Sequence, residues 1–103
     1  MIERVIFASE AEHEVFESYN WYENQLPGLG DDFVRCVLEC IDLIQRHPKI
    51  FPVAVDEFRH AVVRRFPYEI FYGTTDDTLT IYSVFHCSQN PEKWRKRLRS
   101  KKG

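Results

Sequence analysis

A histidine and a pair of arginines lie at the ends of two consecutive aromatic segments. Arg64 and Arg65 precede the first segment (66–72), and His86 closes the second (80–86) after a polar turn. If the two segments pair as neighbouring strands, the arginines and the histidine can come within reach of one ligand. A guanidinium binds anionic oxygens through a planar fork, and an imidazole titrates near pH ~6.5. The pattern therefore favours contact with a phosphate-bearing partner.

The charge of the 103-residue chain is unevenly distributed, although its net value is only −2. Residues 91–103 hold seven Lys or Arg against one acid, and residues 1–90 hold seven against fifteen, so the end carries +6 and the body −8. This asymmetry favours contact between the basic end and a small anionic patch of a partner, rather than a protein surface covered with phosphate contacts. Alternatively, the basic end is a solvated helix that passes into disorder. We predict one domain over residues 1–90 and a basic, partly disordered segment over 91–103.

The sequence predicts neither a metal site nor a cofactor nor a membrane span. Cys36, Cys40 and His47 would supply three of the four ligands that a structural zinc site needs, so we interpret the two cysteines as small apolar side chains. No glycine-rich phosphate loop is present. No apolar run approaches the roughly 20 residues that cross a bilayer, and the start lacks the order of a signal peptide. An odd cysteine count without compact spacing also fits a reducing compartment, so we expect a cytoplasmic protein.

The spacing of apolar residues predicts an α+β fold in the order βααβββ. Residues 2–7 read as a strand, and two amphipathic helices follow, separated by the breaker residues 27–30. The second helix is expected to begin near Asp31 or Asp32 and to end before Pro48. Further strands are predicted over residues 57–65, 68–74 and 79–87, and a possible short helix near 90–99.

The same pattern predicts how the elements pack. The short link between the two helices favours a helical hairpin, packed on a small and mainly antiparallel sheet. The last strands are apolar on both faces, which indicates cover on both sides. We expect the hairpin to cover one face, and the C-terminal segment or a partner to cover the other.

Short motifs follow one another in a fixed order along nearly the whole chain. They are Ala11, Trp21-Tyr22-Glu23, Leu26-Pro27-Gly28-Leu29-Gly30, Phe33, His47-Pro48, Phe51-Pro52, Arg59, the run from Arg65 to Tyr72, His86, Pro91 and Trp94-Arg95. In this order they resemble the RelE/ParE superfamily of toxins from bacterial toxin–antitoxin modules, on its ParE-like or plasmid-stabilisation side. Many relatives carry an arginine just after the strand-end histidine, where this chain has Ser88-Gln89-Asn90.

The resemblance implies a cognate antitoxin, whose extended or helical segment wraps the toxin, and two alternative activities. In one branch the toxin cleaves messenger RNA on the ribosome without a metal. His86 would then act as general base or acid, with Arg59 and Arg65 on the phosphate. Tyr82, four residues before His86 and expected on the same strand face, would stack on a base. The alternative for these residues is structural: the arginines pair with Asp56, Glu57 or Glu69, and Tyr82 packs in the core.

In the other branch the toxin inhibits DNA gyrase by binding alone. This requires only a surface, and the basic segment after Pro91 is the candidate. The acidic first helix would repel RNA, so we favour binding over catalysis. A third alternative is an attenuated module that only pairs with its antitoxin, and the oligomeric state stays open. The binding residues predicted are Tyr82, Gln89, Trp94, Arg95 and Arg97.

Overall fold

Five strands form one sheet in the computed structural model, which describes residues 1–102. The strands are β1 (Arg4–Phe7), β2 (Val53–Val55), β3 (Phe58–Val62), β4 (Tyr68–Thr75) and β5 (Thr78–His86). Their order across the sheet is β1-β5-β4-β3-β2. β1 runs parallel to β5, and the other neighbouring pairs are antiparallel. The prediction of a small, mainly antiparallel sheet is confirmed.

Three helices complete the fold: α1 (Ser9–Gln25), α2 (Leu29–Arg46) and α3 (Pro91–Lys102). α1 and α2 form the predicted hairpin, and Gly28 makes the reversal between them with a φ of 91°. The carboxylate of Glu23 accepts the backbone N–H groups of Gly28 and Gly30, each at 2.9 Å. Because this carboxylate satisfies backbone donors at the start of α2, the helix begins at Leu29, ahead of the predicted start.

The hairpin packs on one face of the sheet and builds the larger of two cores. Aromatic rings dominate it: Phe33 of α2 lies 4.8 Å from Tyr68 and 5.4 Å from Phe66 between ring centroids, and Tyr22 of α1 lies 5.0 Å from Phe66. Ile44 and Ile70 are fully buried in the same cluster. Burial of such large apolar side chains is the main stabilising contribution to a domain of this size.

A smaller core lies on the opposite face of the sheet, beneath α3. Phe71 and Phe85 of the sheet and Leu98 of α3 are buried there, and Trp94 packs against them. The expectation that both faces are covered is confirmed, and of the two alternatives for the second face, the C-terminal segment or a partner, the structure shows the C-terminal segment. The domain boundary at residue 90 and the partial disorder of 91–103 stay predictions, and Gly103 lies outside the described residues.

Two local features depart from the predicted pattern. The edge strand β2 was not predicted, because three residues are too few to show an alternating apolar pattern. With β2 and α3 included, the order of elements is βααββββα. The pairing of β4 with β5 also shifts register between Phe71, which faces Ser83, and Tyr72, which faces Ile81. Tyr82 is therefore the extra residue of a β-bulge, and the alternation of side chains along β5 changes at this point.

Candidate functional site

A cleft of about 260 Å³ lies where β5 passes into α3. Three residues predicted for the site line it: His86, Gln89 and Arg97. Asn90 makes the change of direction, because its side-chain oxygen accepts the N–H of Glu92 at 3.0 Å and so caps α3. α3 consequently runs back beside β5. The remaining lining residues are Glu14, Glu17, Ser18, Tyr68, Val84, Phe85 and Lys93.

The carboxylate of Glu14 lies at the edge of β5 beyond the end of β1. It accepts the backbone N–H of Val84 at 3.0 Å and the hydroxyl of Ser83 at 3.2 Å, and its second oxygen lies 2.9 Å from Arg97. The side chains of Glu14 and Arg97 are only 19% and 23% exposed. Glu14 belongs to the acidic first helix, and it was not among the residues predicted for the site. The four-residue spacing shared by the acids of the first helix and the bases of the last was the signal for this contact.

The His86 ring makes contacts that support the fold. Its Nδ1 accepts the backbone N–H of Ser88 at 3.0 Å and lies 2.7 Å from the Ser88 hydroxyl. The ring also packs edge-on against Tyr68, with centroids 5.1 Å apart. Acceptance of a backbone N–H requires an unprotonated Nδ1, which defines the tautomer.

The two arginines proposed to hold a phosphate lie apart from His86. Arg59 donates to the Phe51 carbonyl at 2.7 Å. In the strand register, Arg59 of β3 lies opposite Tyr72 of β4. His86 of β5 lies opposite Tyr68, four residues away from Tyr72 on β4. By strand geometry, Arg59 and His86 are separated by roughly 13 Å along the strands and about 10 Å across them. The structure does not bring these two residues together around one phosphate.

Arg65 is held near the start of α2. Its guanidinium lies 3.7 Å from the Asp32 carboxylate and over the Phe66 ring, 5.6 Å from the centroid. Of the carboxylates predicted to pair with the arginines, Glu69 instead contacts His60 at 3.1 Å.

Tyr82 does not share a strand face with His86, contrary to expectation. Tyr82 faces the smaller core, as alternation from the buried Ile81 requires, and its ring lies 5.3 Å from Phe58. The bulge shifts the alternation for the residues that follow, so His86 packs on Tyr68 at the hairpin face. Trp94 is in the smaller core as well, stacked on Phe71 with centroids 4.5 Å apart. Both predicted binding aromatics therefore pack within the domain.

The basic residues of α3 divide into two sets. In the paired set, Arg95 contacts Glu92 at 2.9 Å and lies over the Trp94 ring, Arg97 is held by Glu14 as described, and Lys101 contacts Glu10 at 3.1 Å. The side chains of Lys93, Lys96 and Arg99 are exposed, and within residues 1–101 they form no ion pair. α3 thus presents unpaired positive charge to solvent.

A second surface lies beside α2, at the open edge of β3. A groove of about 780 Å³ is lined by the exposed apolar side chains Leu38, Leu43 and Val62 together with Cys40. β2 covers β3 only as far as His60, whose N–H donates to the Pro52 carbonyl at 3.1 Å. Beyond that point, within residues 1–101, the Cys40 thiol approaches the strand edge and lies 3.8 Å from the Val62 carbonyl. Burial raises the pKa of Cys40 to about 11.

Neither a membrane span nor a cluster of metal ligands is found in the part of the chain that the structure describes. None of its helices has the length and apolar character needed to cross a bilayer. Cys36 and Cys40 lie on α2, the first buried and the second half-buried, and no three His, Cys, Asp or Glu side chains of residues 1–101 converge as metal ligands.

A helical hairpin on one face of the five-stranded sheet and a third helix on the other define a small α+β fold, and the hairpin on the sheet is the arrangement that the resemblance implied. The family model described as "ParE toxin of type II toxin-antitoxin system, parDE" matches residues 5–91. The chain therefore belongs to the ParE toxin family.

Individual relatives agree with this assignment. The chain is 27% identical over 92 residues to Toxin ParE2 from two strains of Mycobacterium tuberculosis, with 88% of each chain covered. It also resembles a solved structure, the chromosomal ParDE TA system from P. aeruginosa, with a TM-score of 0.73 at 16% identity. That match covers 84% of this chain and 96% of the other, and it shows the fold alone.

Proposed function

We propose that this ParE-family toxin inhibits growth in the cytoplasm by binding DNA gyrase, with no reaction of its own. The observation that carries this proposal is the exposed set Lys93, Lys96 and Arg99 on α3. A row of unpaired cations on a helix beside a half-buried tryptophan suits an acidic protein surface. Gyrase as the target comes from the family resemblance.

The arrangement of the other candidate residues supports binding over catalysis. Metal-independent RNA cleavage needs a base or acid and a phosphate clamp within hydrogen-bond distance of the same phosphodiester. Arg59 is two strands away from His86, and Arg65 is held by Asp32.

We propose further that a cognate antitoxin neutralises the toxin through the groove beside α2. The unpaired edge of β3 can accept an extended segment by strand addition, and alternate side chains of that segment would enter the groove. Leu38, Leu43 and Val62 supply the apolar contact surface. The ParDE description of the structural relative supports an antitoxin partner.

Induction of the chain alone in a bacterial host tests the activity. We expect intact messages, a DNA-damage response and altered plasmid supercoiling. Early translation arrest with cleaved messages would instead establish the nuclease, and the absence of a growth defect at confirmed soluble expression would establish an attenuated module.

A charge reversal on the exposed face of α3 tests the surface. Lys96→Glu combined with Arg99→Glu should abolish growth inhibition and capture of purified gyrase, whereas Lys49→Glu, an exposed charge reversal in a loop, should retain both. Surface substitutions are preferable to truncation after Asn90, because truncation would also remove the buried Leu98. Unchanged gyrase capture by the α3 variant would contradict the proposal.

A further inference from the structure

Acidic side chains of α1 and basic side chains of α3 face each other in matched steps. Glu10 contacts Lys101 at 3.1 Å, and Glu14, one helical turn later, contacts Arg97 at 2.9 Å, one turn earlier on α3. Hydrogen bonds from its own backbone N–H and from Lys101 lower the pKa of Glu10. The two helices therefore run antiparallel with complementary charges at a four-residue spacing.

Glu14 differs from the other acids of this row because it also bonds to the sheet. β1 ends at Phe7, and the N–H of Ala8 donates to the Ile81 carbonyl at 2.9 Å as the chain leaves β5. Past that point, the N–H of Val84 points to an edge without a neighbouring strand. The carboxylate of Glu14 accepts this N–H, so one side chain joins α1, β5 and α3.

The docking of α3 depends on few other contacts. Leu98 is fully buried and Trp94 stacks on Phe71, whereas most other side chains of the helix are polar or charged. A 12-residue helix of this kind is marginal in isolation and needs tertiary contacts to persist. A charge-assisted bond of low exposure is therefore a substantial share of what holds α3 in place.

We propose that Glu14 is a positioning residue that fixes α3 against the edge of β5 through its negative charge. The carboxylate neutralises the inner cation Arg97, while Lys93, Lys96 and Arg99 stay exposed on the outer side of the helix. The docking itself follows from the structure of this chain alone. The effect of docking on growth inhibition rests on the proposed function.

Hydrogen exchange of the α3 amides measures the docking without any target protein. In Glu14→Gln, the amide oxygen can still accept the Val84 N–H, but the charge toward Arg97 is lost. Because a bond to a charged group is stronger than one between neutral groups, exchange of α3 should accelerate by roughly tenfold or more while the hairpin core is unchanged. Arg97→Gln should have the same effect, and Arg97→Lys should restore most of the protection. The matched control is Glu12→Gln, which removes an exposed charge on the same helix.

Salt provides a readout that simple loss of packing would not change. Exchange of α3 should accelerate with added salt in the unaltered protein, because screening weakens the ion pairs, and this dependence should be reduced in Glu14→Gln. Wild-type protection of α3 in Glu14→Gln, or an undiminished salt dependence, would overturn the proposal.

Growth inhibition is scored separately on the same variants. Faster exchange of α3 together with reduced inhibition supports the whole chain of inference. Faster exchange with full inhibition would confirm the positioning role of Glu14 and contradict the use of α3 in the proposed function. The two failures are therefore distinguishable.

Discussion

The indole of Trp94 stacks on the ring of Phe71 with centroids 4.5 Å apart and planes inclined by 23°. This contact joins the basic helix to the central part of the sheet. Leu98, one turn later on α3, is completely buried in the same cluster. The most positively charged segment of the chain is thus anchored by its two largest apolar side chains, and its charges lie around that anchor.

Leu98→Ala tests the anchor. Truncation of a fully buried leucine typically costs about 2–5 kcal/mol, because it removes apolar contact and leaves a cavity. We expect a loss in this range in the free energy of unfolding in urea, with Trp94 fluorescence changing at lower denaturant. Arg99→Ala, at the neighbouring exposed position, should change stability by less than about 0.5 kcal/mol. Equal stability of the two variants would show that α3 does not contribute to the core.

Gly30→Ala tests the close approach of the two hairpin helices. A Cβ at Gly30 would lie 2.7 Å from the Tyr19 carbonyl oxygen and 2.8 Å from the Glu23 carboxylate, so the helices must separate. Overpacking of this kind costs about 1–3 kcal/mol, measurable by thermal or urea unfolding. Glu39→Ala is the comparison, since Glu39 is an exposed residue of the same helix. If Gly30→Ala is no worse than Glu39→Ala, the close approach is incorrect.

The protein should become less stable at alkaline pH. Burial raises the pKa of Cys40 from 9.0 to about 11 and that of Tyr72 from 10.0 to about 12. The folded state therefore holds protons that the unfolded chain releases, and the stability present below pH 9 is lost progressively as the pH rises to about 11.

Urea unfolding at several pH values between 8 and 11 checks this expectation. Cys40→Ala should show a shallower decline with pH than the unaltered protein. Leu38→Ala removes an apolar side chain on the same helix without a titrating group, so it should shift the whole curve and keep its slope. An identical slope for all three proteins would exclude Cys40 as a source of alkaline instability.

His86→Ala should leave growth inhibition within about twofold of the unaltered protein. The ring accepts a bond from Ser88 and packs on Tyr68. Because Trp94 and Leu98 anchor α3 separately, the cations of α3 should stay in place without this ring. The measurement is colony formation after induction, with soluble expression and melting temperature checked in parallel. A loss of several orders of magnitude in a stably folded variant would move His86 into an active site.

Leu38→Glu should weaken binding of the cognate antitoxin. Leu38 is 54% exposed in the groove beside α2. A bound antitoxin segment would bury a carboxylate at this position without a partner, which costs binding free energy. We expect at least a tenfold rise in the Kd of the complex, measured by calorimetry. Phe16→Glu is the control, because Phe16 is similarly exposed but lies on α1, away from the groove. An equal effect of both substitutions would place the antitoxin elsewhere.

The order of helices and strands could be predicted, because a periodic pattern of apolar residues over a long segment shows which side chains are buried. The stripes on α1 and α2 face the sheet as expected, and β4 and β5 pair where their aromatic runs suggested. The bulge at Tyr82 was not predictable, since one extra residue leaves no trace in an apolar pattern. It shifts the alternation for the residues after Tyr82, so Tyr82 and His86 lie on opposite faces of the sheet.

Only the part of the candidate site that depends on local structure could be predicted from the sequence. His86, Gln89 and Arg97 come together because strand pairing and a short turn determine their positions locally. The role of Glu14 depends on where α1 lies relative to an unpaired edge of β5, and that is a tertiary relationship. A solvated acidic stripe and a stripe that binds another helix have the same spacing in sequence.

The parallel pairing of β1 with β5 has a consequence for synthesis of the protein. Arg4 faces Thr78, so the sheet closes over a separation of 74 residues along the chain. Contacts of such long range form slowly, because the intervening loop must close before they contribute. A chain still emerging from the ribosome holds β1 without its neighbouring strand until almost the entire sequence has been translated. The cell therefore has an interval, after synthesis begins and before the sheet closes, in which no folded toxin exists.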